Sequence, residues 1–237
     1  MKRIAGYLFI FLWLAAAPAY GDNAMEYFNL GVKNSTTHKK IEYFTKALEL
    51  NPDWAEAYEK RGLLHYYQGN YDKVISDYHT YLDLAPATAE AYRMLAMGYM
   101  KKGKYDSAIY HFTQAIKLDP KLTSAYAYRA EAYRLSGNDK KSIRDATEAT
   151  KLRGDPRAKA DAYKTRAKIY RRLGNVELAV ADSRAAMTID PRIPRFWGRR
   201  YFFRYASPEE LSKAGLIALI TIALILIFKI TLKPPKK

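Results

Sequence analysis

Four histidines, His38, His65, His79 and His111, are the first residues to weigh for proton transfer near neutral pH or for imidazole ligation of a metal. They occur singly. None has the i,i+4 partner or the carboxylate companions that a helical metal site needs. The chain has no cysteine, which excludes thiolate metal sites, a disulfide scaffold and a cysteine nucleophile. No glycine-rich phosphate loop and no nucleophile motif is present. The paired acids Glu209 and Glu210 belong to Ser207-Pro-Glu-Glu210, a helix start with Ser as N-cap, Pro at the first position and acids in the first turn. The expectation is a protein without catalytic residues, cofactor or metal.

The remaining chemistry is charge and aromaticity. With 40 Lys and Arg against 24 Asp and Glu, the net charge is +16, and there are 21 tyrosines. At 49% hydrophobic residues the 237-residue chain is too apolar to be generally disordered. Residues 192–205 hold five arginines and six aromatics with no acid, and lie just before an apolar run. Such a mixture suits a membrane interface, with Trp197, Phe202 and Phe203 at headgroup level and Arg199 and Arg200 on lipid phosphate. It also suits a segment capping the apolar stripe of a preceding repeat. Interleaved arginines and aromatics can bind single-stranded nucleic acid, but an export signal argues against that partner.

Both ends carry apolar runs. Met1-Lys2-Arg3, the apolar stretch Ile4–Ala17 and the small-x-small site Ala17-x-Ala19 compose a secretory signal over 1–21, with an uncleaved N-terminal anchor as the alternative. Ala214–Leu232 is long enough to reach ~28 Å at ~1.5 Å per residue, which fits one transmembrane helix within 213–232. Lys229 lies near the end, where its stem reaches the headgroups, and a basic tail, 233–237, follows. Signal and span together place the middle of the chain outside a bacterial inner membrane. Arg192, Arg195, Arg199, Arg200, Arg204 and Lys213, all before the span, favour the opposite topology, with that middle in the cytosol.

The middle repeats. Pro52, Pro86 and Pro120 fall at one constant interval, and Pro191 follows slightly more than two such intervals later. In that frame Tyr58, Tyr92, Tyr126 and Tyr163 recur, followed by a small residue at 62, 96, 130 and 167. Two helical turns beyond each small residue stands Gly69, Gly103, Gly137 or Gly174. The tyrosine stripe marks an amphipathic helix, the small residue a close helix approach, the glycine a left-handed turn and the proline a stop. One such hairpin cannot bury its own stripe, so the units stack.

These residues resemble the tetratricopeptide repeat (TPR). The unit Tyr92, Leu95, Ala96, Tyr99, Gly103, Tyr105, Ala108, Phe112, Ala115, Pro120 follows the family pattern nearly throughout. The resemblance covers residues 24–191, and implies an all-α, right-handed solenoid of about five helical hairpins, with the transmembrane helix added. The repeats fall at 24–52, 53–86, 87–120, 121–156 and 157–191. The first is degenerate (Leu30, Gly31, Phe44, Ala47). The fourth is lengthened at Leu152-Arg-Gly-Asp-Pro156, where an offset in stacking is expected.

In this family the first helix of each repeat lines a concave groove that holds a partner segment. The resemblance implies that groove positions are Glu56, Glu59, Leu63, Tyr66 and Tyr67 in the second unit and Glu90, Arg93, Met97 and Met100 in the third. Ala127, Glu131 and Arg134 follow in the fourth, and Asp161, Lys164, Lys168, Arg171 and Arg172 in the fifth. The groove would run from acidic and aromatic to basic. Lys164 and Lys168, like charges one turn apart, are mutually unfavourable by a few tenths of a kcal/mol. That suits either an acidic partner segment or a merely solvated face. The family's carboxylate clamp is missing: Asn29 matches its first asparagine, but Lys60 holds the second position, and Glu90 and Met94 stand where Lys and Arg are needed. The reading is a membrane-anchored scaffold for a protein or peptide partner, of undetermined oligomeric state.

Overall fold

The computed structural model describes residues 23–190. Ten helices occupy those residues. They are α1 (23–33), α2 (Thr37–Leu50), α3 (Ala55–Gln68), α4 (Tyr71–Leu84) and α5 (Ala89–Lys101), then α6 (Tyr105–Leu118), α7 (Thr123–Leu135), α8 (Asp139–Lys151), α9 (Pro156–Arg172) and α10 (Val176–Ile189). No strand occurs among the described residues. Consecutive helices pair as hairpins, and each hairpin packs only on its neighbours, as α4 on α5, α6 on α7 and α8 on α9.

The local sequence explains the hairpins. Gly69, Gly103, Gly137 and Gly174 adopt φ of 78°, 74°, 85° and 79°, a region costly for residues with a Cβ, so the chain reverses at each. Helix starts are capped where the sequence supplies an acceptor. Thr88 Oγ1 accepts from Ala91 N at 3.1 Å, Asn138 Oδ1 from Lys141 N at 3.2 Å and Asp155 Oδ1 from Arg157 N at 2.9 Å.

The core is largely alanine. Ala96, Ala108, Ala115, Ala125 and Ala132 close around Phe112 and Met97, and Ala127, Ala130, Ala146, Ala149, Ala158 and Ala162 form a second cluster. Small side chains bring backbones close, and larger residues fill the volume that is left. Phe112 does this in the third unit, with no exposed surface. A Cβ built on Gly98 would stand 3.0 Å from Ile75 Cγ1 and 3.2 Å from Val74 Cγ1, so α5 lies against α4 with no room to spare.

The longer fourth unit is accommodated at the α8–α9 connection. Pro156 is the first residue of α9, and α9 has 17 residues where α7 has 13. Gly154 presses on the start of α7, where an added Cβ would lie 2.1 Å from Thr123 Oγ1. The extra residues become part of a longer helix and a loop folded onto the unit before it.

Among the described residues no helix is long and apolar enough to cross a membrane. The expected signal at 1–21, the Arg/aromatic segment 192–212, the span at 213–232 and the tail at 233–237 all lie outside the described residues.

Candidate partner-binding groove

The first helices of successive hairpins touch directly, α3 on α5, α5 on α7 and α7 on α9, so they form the inner wall of the stack. The second unit brings Tyr66 to this wall, the third Arg93 and the fourth Tyr128. They are close enough to act on one another electrostatically although Tyr66 and Tyr128 lie almost two repeats apart in sequence. Burial, with Tyr128 and Tyr71 nearby, pushes the Tyr66 phenol up to about 12. Burial opposes the Arg93 charge, yet the Glu90 carboxylate outweighs it and the guanidinium is held more firmly protonated than usual. Arg93 grips Glu90 with two nitrogens, Nε at 2.7 Å from Oε2, and leans on Met94 Sδ at 3.1 Å.

Met97 corrects the groove reading. It is 5% exposed and packs with Phe112 and the alanines around it, so it belongs to the seam rather than to the surface, and Ala127, 1% exposed in the second alanine cluster, is core for the same reason. Tyr66 is half-buried and shared with the core, whereas Tyr67 is exposed. Glu56 and Glu59 both face Lys60, at 3.7 and 4.0 Å.

The basic end is more neutral than its sequence suggests. Lys164 Nζ meets Asp161 at 2.9 Å, Lys168 Nζ meets Glu131 at 3.4 Å, and Arg172 pairs with Asp139. Arg134 holds Glu131 at 2.7 Å through both Nε and an Nη. Burial works against the Glu131 charge, but the hydrogen bond from Arg134 and the charge of Lys168 keep its carboxyl below the usual range. Thr165 Oγ1 also donates to Glu131, at 3.0 Å. The adjacent lysines are therefore tolerated because each has an acid to answer it, Asp161 on the same helix and Glu131 on the preceding unit. Arg171 is exposed on the same helix.

Sequence reasoning missed a ladder behind this wall. Arg61, Arg129 and Arg166 each bind an aspartate 16 residues on, Asp77, Asp145 and Asp182, with two nitrogens on two oxygens. Each arginine also donates to a threonine of the preceding unit: Thr45 at 3.3 Å, Thr113 at 3.0 Å and Thr147 at 2.7 Å. Each lies over a tyrosine ring, Tyr58, Tyr126 or Tyr163, at 5.4, 5.6 and 5.4 Å. The signal was the recurrence of Arg and Asp at one fixed separation in the repeat frame.

The histidines are also not all solitary. His79 Nε2 lies 2.9 Å from the Tyr99 hydroxyl, and the His79 and His111 rings stand 5.8 Å apart at 78°. The two sit in successive units, on α4 and α6, which the stacking brings together. His65 is buried in α3 at a tyrosine position of the repeat, and burial lowers its pKa. Among the described residues no group of three or more His, Cys, Asp or Glu is placed to hold a metal.

Hairpin stacking, the left-handed glycines and an inner wall of first helices define a helical-repeat solenoid, and two stretches of it match a repeat family. Residues 89–122 and 160–193 each match a model described as Tetratricopeptide repeat. The fold is similar to that of MamA from Desulfovibrio magneticus RS-1, at 18% identity over 73% of this chain and 98% of that one, TM-score 0.64. It is similar to YrrB, a TPR protein with an unusual peptide-binding site, at 20% identity over 73% and 86%, TM-score 0.57. A thermophilic TPR protein of Thermus thermophilus matches at 20% identity over 79% and 98%, TM-score 0.55. At these identities the likeness is one of fold. No curated protein matches the sequence at a significant level.

Proposed function

We propose that the protein is a membrane-anchored TPR scaffold that captures a segment of a protein partner on the inner wall of α3, α5, α7 and α9. The observation that carries this reading is the continuity of that wall, which sets Tyr66, Arg93, Arg134 and Lys168 from four successive units along one surface. YrrB, of the same fold, has a peptide-binding site. An acidic partner residue meeting the Lys164–Arg172 end competes with Asp161, Glu131 and Asp139 for cations already paired. The Lys164 and Lys168 ends of these bridges reach solvent, where such pairs contribute only ~0–1 kcal/mol, so exchanging one acid for another at a lysine costs little.

A photocrosslinking residue placed at Tyr67 or Lys168 tests groove capture against one placed at Lys140, an exposed position on α8. Adducts are expected from the first two positions in cells and not from the third. The triple variant Lys164→Glu, Lys168→Glu, Arg171→Glu should lose the adduct while helicity and melting temperature stay near wild type. An adduct that survives the triple reversal removes the acidic-segment reading, and a collapse of the fold would show that these residues are structural.

The anchoring rests on the sequence of both ends. The span 213–232 holds the chain in the bilayer, Trp197, Phe202 and Phe203 sit at headgroup level, and Arg199 and Arg200 meet lipid phosphate. The signal at 1–21 places the solenoid outside a bacterial inner membrane. The arginines at 192–204 favour a second reading, a tail-anchored adaptor with its solenoid in the cytosol. Protease added to spheroplasts, with N-terminal sequencing of the mature chain, separates the two. Digestion with a start near Tyr20 or Asp22 supports export, and protection with Met1 retained supports the cytosolic form.

A further inference from the structure

The Thr–Arg–Asp ladder has a gap. The repeat positions that hold Thr45–Arg61–Asp77 and Thr113–Arg129–Asp145 hold His79–Leu95–His111 in the unit between, each one repeat interval from its counterparts. Two imidazoles therefore stand where the neighbouring seams keep a permanent ion pair.

The surroundings of His111 are specific. From α5, Tyr99 stacks on its ring at 5.2 Å and 5°, and Tyr92 at 6.0 Å and 20°, so the imidazole occupies the tyrosine stripe that carries a guanidinium in other units. From α4, His79 faces it at 5.8 Å, and on its own helix α6 Tyr110 abuts it edge-on at 5.0 Å. From α7, Arg129 is held away by Asp145 and Thr113. Beside burial, the charge of His79 acts against the His111 cation. The His111 Nδ1 is buried with no hydrogen-bond partner among the described residues. Tyrosine faces favour a cation, but burial and then His79 prevail, and the imidazole falls from 6.5 to about 4.

We propose that the third unit is a proton-operated joint. On acidification the half-buried His111 imidazolium, stacked on two tyrosines and facing His79, loosens α5 and α6 from α4 and parts the inner wall between Tyr66 and Arg93. The ladder seam on the far side, Arg129 with Asp145, stays closed because arginine keeps its charge at every pH the protein meets, while in the second unit the buried His65 adds an acid-sensitive group of its own beside Arg61 and Asp77. Since the folded pKa is depressed, the stability contribution is complete above about 6.5 and is lost as pH falls from there toward 4. Acid release of whatever the wall holds follows from the same opening.

Amide hydrogen exchange of the full-length protein in detergent, followed by mass spectrometry at pH 7 and pH 5, tests the joint. After correction for intrinsic exchange rates, protection of α4, α5 and α6 should fall about tenfold more than that of α8 and α9. His111→Gln, which keeps a polar side chain of similar reach but does not titrate, should abolish the extra loss. The ladder-restoring variant His79→Thr, Leu95→Arg, His111→Asp should do the same, and covers the case in which the glutamine variant folds poorly. Equal loss of protection in all units of the wild type overturns the proposal, as does an extra loss at pH 5 that persists in both variants.

Discussion

Truncating Asp145 to alanine should cost the fold about 3–5 kcal/mol, because it strands the Arg129 guanidinium in the seam between the third and fourth units. The pair is the most enclosed of the ladder: side-chain exposures are 10% for Arg129 and 3% for Asp145, against 18% and 4% for Arg61 and Asp77. Arg129 Nε lies 2.6 Å from Asp145 Oδ2, and Thr113 occupies a further nitrogen at 3.0 Å. A domain is stable by only about 5–15 kcal/mol, so urea titration followed by circular dichroism should show a large drop in midpoint. The companion experiment replaces both residues, Arg129→Leu with Asp145→Met, and should cost far less than the single truncation, because no buried charge is left unpaired and Arg144, which also faces Asp145, is exposed to water. The third unit already holds an apolar Leu95 at the arginine position, so the backbone tolerates one there. A single truncation costing under about 1 kcal/mol would show that water reaches the guanidinium and that the ladder is a surface feature.

Phe112→Ala is the second large effect, again about 3–5 kcal/mol. The ring is wholly buried on α6, and its neighbours Ala96, Ala108, Ala115, Ala125 and Ala132 have no side-chain length with which to fill the space left behind. Because units in a solenoid contact only their neighbours, the loss falls at the middle of the stack. Unfolding should therefore separate into two steps, read as a broadened or biphasic urea transition with unequal exchange protection on either side of α6. Tyr110→Ala, close by in sequence but 60% exposed, is the control and should stay within about 0.5 kcal/mol of wild type. A sharp single transition in the Phe112 variant would mean that the units are coupled more widely than through nearest-neighbour seams.

Much of the fold was legible because a helical hairpin is a local object. The tyrosine stripe, the small residue for close approach and the glycine at positive φ act within one unit, and their recurrence at a constant interval announces stacking. Inner-wall residues were assigned by the same frame, which failed at Met97 and Ala127 because frame position says which way a residue points and not whether the next unit covers it.

The groove's electrostatics were not legible. Asp161, which answers Lys164, was within reach on the same helix, but Lys168 read as unneutralised because only same-helix neighbours are visible in a sequence. The acids that answer this end include Glu131 and Asp139 on the preceding unit, 37 residues from Lys168 and 33 from Arg172. The same holds for His79 and His111, solitary by sequence and 5.8 Å apart by ring centroid in the stack.

The sequence by itself thus determined the repeat, its hairpin and the residues of each first helix, since backbone preference and helical periodicity act over a few residues. The tertiary structure decided which charges are answered by partners, which arginines are locked to aspartates and where two histidines meet. Those outcomes depend on the distance between units, and that distance is set by how closely the alanine seams let the helices approach.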